Sequence, residues 1–304
     1  MDIATLDTLR IVLDPAGQAG VGLALMLVMF SVALGLKVDD FRYLLERRGL
    51  FAGGVVTQVV GLPLVTFGLV ALLAPPPSLA LGMFVVACCP GGAASNLMTW
   101  LARGNVVYSV SLTAVSSLLA AFATPVSILF WSGVYGPTAD LLDALGFSPL
   151  AFLARTTLLL AVPLVAGMLV QARAPDVAVR LRRRMALAGV LALGSVIAYG
   201  IWHFFPVLAP ALPLLAGLGI LHNALAFGTG LGAAALLRAD RPARRALTFE
   251  IGIQNSGLAI VILIAQFEGL GGAAAIAAFW GVWHLVAGGL IVVLYRYGDA
   301  KARG

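Results

Sequence analysis

Charge is absent from two long stretches of this chain, residues 49–102 and 185–237. A helix needs about 20 apolar residues to cross a bilayer, so each stretch holds a pair of spans joined by a tight, uncharged turn. The segments "APPPS" (74–78) and "FFPVLAP" (204–210) carry that turn chemistry. With charges and Pro or Gly clusters as boundaries, the pattern predicts nine transmembrane helices. They fall at roughly 17–36, 49–73, 78–102, 105–132, 149–171, 185–203, 209–237, 243–267 and 270–295. Two of them are interrupted. The third contains "CCPGGAASN", and the eighth contains "FEIGIQNSGLA", in which Gly252 and Gly257 flank Gln254, Asn255 and Ser256.

Composition agrees with an all-α membrane protein. Of 304 residues, 61% are hydrophobic and 11% charged, against about 25% charged in soluble domains. The opening "MDIATLDTLR" is acidic and does not read as a cleaved signal. Cys88 and Cys89 are adjacent in an apolar run, which gives neither a disulfide framework nor a metal pattern. The net charge of +6 suggests nucleic acid only until its distribution is read. Arg42, Arg47, Arg48, Arg103, Arg173, Arg180, Arg182–Arg184, Arg238, Arg241, Arg244 and Arg245 fall in the loops after spans one, three, five and seven. Arg296, Lys301 and Arg303 follow the last span, while Asp140, Asp143 and Glu268 occupy the opposite loops. Asp2, Asp7 and Asp14, against Arg10, precede the first span. The positive-inside rule then puts the N-terminus outside and the C-terminus in the cytoplasm.

In that orientation the two interrupted spans run in opposite directions. Pairing backwards from the last span matches four with nine, three with eight, two with seven and one with six, leaving five unpaired. This is the pattern of two inverted-topology repeats, the first lacking its opening helix. Transporters place their substrate and ion sites where such broken helices meet; the plainer alternative is a simple Gly/Pro kink. Glu250 is the one carboxylate well inside a span, with no Lys or Arg at its depth. Such a group is either protonated or coordinates a cation. Ser109, Thr113, Ser116 and Ser117 share one helical face, and Ser95, Asn96, Gln254, Asn255 and Gln58 add neutral oxygen donors. That set suits Na⁺ rather than zinc or copper, although Ser and Thr also bond back to their own helices. The breaks free carbonyls near 87–89 and 250–253 for a cation, and N–H groups near 93–95 and 255–257 for an anion.

The stretches "CPGGAASNLMTWLARGNVVYSVSLT" and "EIGIQNSGLA", with "MFSVALGLKVDDF", "LHNALA" and "VWHLVAGG", resemble the bile acid:sodium symporter family, and the chain is similar to a bacterial member. The resemblance implies a single membrane transporter domain over residues 1–304. Its core would cover about 49–132 and 209–297 and its panel about 15–37 and 149–203, with two discontinuous helices crossing in the core. It implies two Na⁺ sites. The first falls on Ser95, Asn96, Ser109, Thr113 and Glu250; the second falls on Gln58, Glu250 and Gln254, with the carbonyls of Ile251 and Ile253. An organic anion, bile acid-like or a small carboxylate such as pantoate or pyruvate, would meet Ala93, Ala94, Asn255, Ser256 and His284. Ala93, where a hydroxyl is frequent, and Leu285, where Asn is common, remove polar contacts expected for a bile acid.

The expectation is therefore a sodium-coupled organic anion importer in the inner membrane, needing no nucleic acid and implying no oligomer. Proton coupling through Glu250 is the rival within transport. An intramembrane hydrolase is the rival from another class, but no Ser–His or Cys–His pairing is visible. His203, His222 and the cysteines read as packing or interfacial residues, and Gly228, Gly230 and Gly232 as a close helix contact.

Overall fold

The structure, a computed structural model, describes residues 5–11, 15–36 and 47–302. Asp2, Asp14, Arg42 and Arg303, used above for orientation, and the side chain of His203 lie outside the described residues. After a short α1 (Thr5–Thr8), the chain forms α2 (Pro15–Ala33), α3 (Arg48–Leu73), α4 (Pro77–Cys88), α5 (Ala93–Leu101) and α6 (Val106–Val134). Then follow α7 (Gly136–Ala144), α8 (Pro149–Arg173), α9 (Pro175–Leu208), α10 (Leu212–Leu236), α11 (Arg241–Gly252), α12 (Ser256–Gln266) and α13 (Gly271–Lys301). The fold is all-helical among the described residues, with only two isolated β-bridges. Among the described residues, five segments are long and apolar enough to cross a membrane: Arg48–Leu73, Val106–Val134, Pro149–Arg173, Ala209–Leu236 and Gly271–Lys301.

The interruptions fall where glycine and proline stand. The helix α4 stops at Cys88, and α5 restarts after extended Gly92. Likewise α11 stops at Gly252, and Asn255 caps α12 by accepting from Leu258 N at 3.0 Å. A third irregularity was not anticipated. Inside α3, residues Thr57–Gly61 form a π turn in which Leu62 N–H reaches back to Thr57 O. Pro63 follows immediately and has no N–H to offer its own preceding turn, which favours such a shift.

Two expectations are corrected. Residues 204–210 are not a turn: α9 runs unbroken through Pro206 to Leu208, and only Ala209–Ala211, a 3-10 turn, separates it from α10. Proline is tolerated within membrane helices, and Pro206 falls in the last turn of α9. Arg180 and Arg182–Arg184 are likewise not loop residues but exposed positions in the opening turns of α9.

Packing groups the helices. One set is α2 with α8 and α9; another joins α10 to α11 and α13 to α4. A Cβ on Gly167 of α8 would strike Ala33 and the Phe30 carbonyl of α2, and one on Gly189 of α9 would strike Val28. Among the three glycines of α10 only Gly230 makes a close approach, to the Leu247 carbonyl of α11; Gly228 and Gly232 meet nothing within 4 Å. At one end Asp7 Oδ1 accepts from Ser78 N (2.8 Å), and Ile11 N donates to Gly269 O (2.7 Å). The opposite end is basic. There buried Arg245 of α11 binds both carboxylate oxygens of Asp299 of α13 (2.5 and 2.9 Å) and the Ala102 carbonyl that follows α5 (2.6 Å).

Gly82 of α4 sits against the Ala273 backbone and Ile276 of α13. Gly82→Ala should lower stability by about 1–3 kcal/mol through overpacking, seen as a lower detergent melting temperature. Gly68→Ala, with nothing within 4 Å, should leave that temperature unchanged or raise it.

Candidate functional site

The two breaks meet. Gly91 and Gln254 form an antiparallel bridge, Gly92 N donates to Ile253 O at 3.3 Å, and Asn255 N donates to Pro90 O at 2.9 Å. Backbone groups left without helical partners inside a bilayer are costly; here each break supplies the other's partners. The approach is close enough that a Cβ on Gly91 would collide with Glu250 Oε1. A side chain there would push the Glu250 carboxylate off its hydroxyl partners.

Glu250, fully buried, ends α11 beside this crossing. Its Oε2 accepts from Ser95 Oγ (2.7 Å) and Ser109 Oγ (3.1 Å), and its Oε1 from Thr113 Oγ1 (2.6 Å). Asn96 Oδ1 joins the group, 2.8 Å from Ser109 Oγ and 3.3 Å from Thr113 Oγ1, as an alternative acceptor for the single proton each hydroxyl carries. Thus one acid from α11, two residues from the first turn of α5 and two from adjacent turns of α6 converge. No Lys or Arg lies within ion-pair distance of Glu250 among the described residues. Ser116 bonds to the Thr113 carbonyl of its own helix (3.2 Å), and neither it nor Ser117 reaches the acid.

A second cluster adjoins the first. Gln58, in the π turn, donates to Cys89 O (2.9 Å) and to Gln254 Oε1 (2.8 Å). Gln254 Nε2 donates to Ile251 O at 2.7 Å, and Ile253 O accepts from Gly92 N. All the oxygens assigned from sequence to two cation sites are therefore gathered around the crossing. They are carboxylate, hydroxyl, amide and carbonyl oxygens, a hard donor set that suits a small monovalent cation. A hydroxyl that donates to Glu250 can rotate to present a lone pair instead. Among the described residues no cluster of three or more His, Cys, Asp or Glu exists that would suit a transition metal.

The residues assigned to the anion lie on the flanks. Ala93 is exposed and Ala94 half-buried at the start of α5, whose N-terminus has no side-chain cap. Asn255 and Ser256 are half-buried at the start of α12. Asn255 spends its oxygen capping that helix, which leaves its amide nitrogen as donor. A Cβ on Gly281 of α13 would touch Ser256, and one on Gly288 would touch Ile253, so α13 lies over the crossing. His284 sits between them, buried, its ring 5.0 Å from that of Trp280.

Several contributors escaped the sequence reading. Asn223 of α10 donates to Gly252 O at 2.8 Å and so occupies a carbonyl freed by the break. Thr124 does the same for Cys88 O at 2.8 Å, and Thr99 donates to Ser109 at 3.3 Å. The available signal was a polar residue in an uncharged span, which does not name its partner. His222 does pack between helices, with Nε2 2.8 Å from Thr66 Oγ1.

A sequence profile of the sodium bile acid symporter family matches residues 22–221. The uncharacterized sodium-dependent transporter YocS of Bacillus subtilis is 33% identical over 272 residues, covering 88% of this chain and 80% of that protein. A probable chloroplastic sodium/metabolite cotransporter, BASS1 of Oryza sativa subsp. japonica, is 30% identical over 88% of this chain and 64% of its own length. The human ileal sodium/bile acid cotransporter is 26% identical over 80% of this chain and 68% of its own. These relatives are transporters rather than enzymes. The chain belongs to the sodium bile acid symporter family.

Proposed function

We propose that this protein is a sodium-coupled symporter that imports an organic anion by alternating access, with Na⁺ carried as cargo at the crossing of the breaks. The observation that carries this reading is Glu250: a fully buried carboxylate that three hydroxyls reach and that no cationic side chain neutralises among the described residues. An unpaired buried charge costs several kcal/mol, so a mobile cation completes the site. Ser95, Asn96, Ser109, Thr113 and Glu250 hold the first Na⁺. Gln58, Glu250 and Gln254 hold the second, with the Ile251 and Ile253 carbonyls. There the Gln254 amide nitrogen now contacts the Ile251 carbonyl, the kind of contact a cation would replace. A proton would need only the carboxyl group. The convergent amide and carbonyl oxygens favour Na⁺ over proton coupling.

The anion docks against the N–H groups at Ala93 and Ala94 and beside Ser256, whose own N–H donates to Gln254 O; there two half-helix N-termini carry partial positive charge. Asn255 and His284 flank that place. The packing of α2 with α8 and α9, set against the remaining helices, supports a panel that stays while a core moves. In this arrangement nine spans form two inverted repeats, with the N-terminus outside and the C-terminus in the cytoplasm of a bacterial inner membrane. Two Na⁺ entering with a monoanion carry net positive charge inward, so the membrane potential assists uptake.

Glu250→Ala should abolish uptake driven by an inward Na⁺ gradient in proteoliposomes, with taurocholate, pantoate and pyruvate as probes. Uptake that survives with its sodium dependence intact overturns the assignment, and uptake that follows a pH gradient while ignoring Na⁺ favours the proton. In thermal-shift screens of the same anions, the carried one should stabilise the protein only when NaCl is present. At a hundred times its Kd a ligand adds about 2.7 kcal/mol. Equal stabilisation in choline chloride would remove sodium coupling from the reading.

A further inference from the structure

Far from the basic end, Arg10 and Ile11, the α7–α8 turn, the first turns of α8 and the α12–α13 turn enclose a cavity of about 540 Å³. Two arginines line it. Arg155 stands one turn beyond Ala151 on the apolar helix α8, exposed, with no hydrogen-bond or ion-pair partner among the described residues. A guanidinium on a membrane-spanning helix is unfavourable. Charge bias does not explain it either, because basic residues set topology at the opposite end. Arg10 is held by two backbone carbonyls, Nη1 donating to Asp7 O at 2.9 Å and to Leu9 O at 3.2 Å. Those bonds fix the side chain without neutralising it. Glu268 also lines the cavity, so two cations face one anion and a net positive charge remains.

Three aromatic rings contribute to the wall. Phe147, Phe152 and Phe267 line the same cavity and pack together with ring centroids 5.1 to 5.3 Å apart. Two come from the α7–α8 turn and α8, the third from the end of α12. A cationic wall beside packed rings, in a volume within the range of small-molecule sites, is complementary to an amphipathic anion. The guanidinium takes a carboxylate or sulfonate through paired N–H donors, and Phe147, half-buried over the buried Phe152 and Phe267, meets its apolar body.

The geometry points to a receiving site for an organic monoanion at this mouth, with Arg155 and Arg10 holding the acidic group ahead of transfer to the crossing. That the anion is the transported cargo rests on the function proposed above; that the cavity attracts anions does not. The experiment therefore reads the cavity directly. Ala151→Cys places a thiol one turn from Arg155, while native Cys88 and Cys89 are buried. Its rates of reaction with a sulfonate-bearing and a trimethylammonium-bearing methanethiosulfonate are each normalised to a free thiol in solution.

The sulfonate reagent should be favoured, and Arg155→Gln in the Ala151→Cys chain should cut that preference about tenfold, whereas Arg155→Lys should keep most of it. Taurocholate should slow the sulfonate reagent in the Arg155 chain only. A preference that Arg155→Gln leaves unchanged, or one for the cationic reagent, overturns the site. Should Arg155→Gln fail to fold, raising salt must shrink the preference in the Ala151→Cys chain, and a salt-independent ratio overturns the site as well. None of these readings needs transport, so a negative result here leaves sodium coupling standing, and failure of the Glu250 experiment leaves this site standing.

Discussion

The buried carboxylate of Glu250 governs the arrangement around it. A charge in the middle of a bilayer costs about 3 kcal/mol on insertion scales, and this one meets hydroxyls from α5 and α6 rather than an arginine. For Ser95 to reach it, the third span must break and restart beside α11. For the break to come so near, Gly91 must lack a side chain. The acid, the hydroxyls and the glycine form one constraint seen from three elements.

Breaking two helices leaves carbonyls and N–H groups without their usual partners, and the neighbourhood answers nearly one for one. The bridge between Gly91 and Gln254 pairs the two breaks with each other. Gln58, Thr124 and Asn223, from three full-length helices, donate to the carbonyls of Cys89, Cys88 and Gly252. Neutral side-chain donors do this without adding fixed charge, so the site keeps an acid and a set of oxygens.

The crossing is also held from the basic end. Arg245 ties α11 to Asp299 of α13 and to the end of α5, so the half-helices that carry Glu250 and Ser95 share one anchor. With side chains only 5% and 10% exposed, this pair gains more from mutual attraction than an exposed one such as Arg47–Asp240, which contributes little. The opposite mouth is held by backbone hydrogen bonds from Ile11 and Gly271 and by aromatic contacts, and it leaves Arg155 without an ion-pair partner among the described residues.

Much of this was legible in one dimension. Apolar run length, the two Gly- and Pro-bearing interruptions, the bias of arginines and the lone intramembrane acid are local properties, because a bilayer tests every stretch of about 20 residues against the same thickness. The spacing of Ser109 and Thr113 placed both on one face of α6, and both reach Glu250. Ser116 and Ser117 share that face and do not reach it, since the acid lies level with only part of the helix. Turn chemistry misjudged 204–210, where α9 runs on through Pro206 and a 3-10 turn begins only at Ala209, and could not reveal the π turn at Gln58. The partner of Asn223 and the meeting of Arg10 with Arg155 in one cavity were decided by the tertiary structure alone, because sequence fixes which groups require a partner, and only the packing of distant helices brings a particular partner within reach.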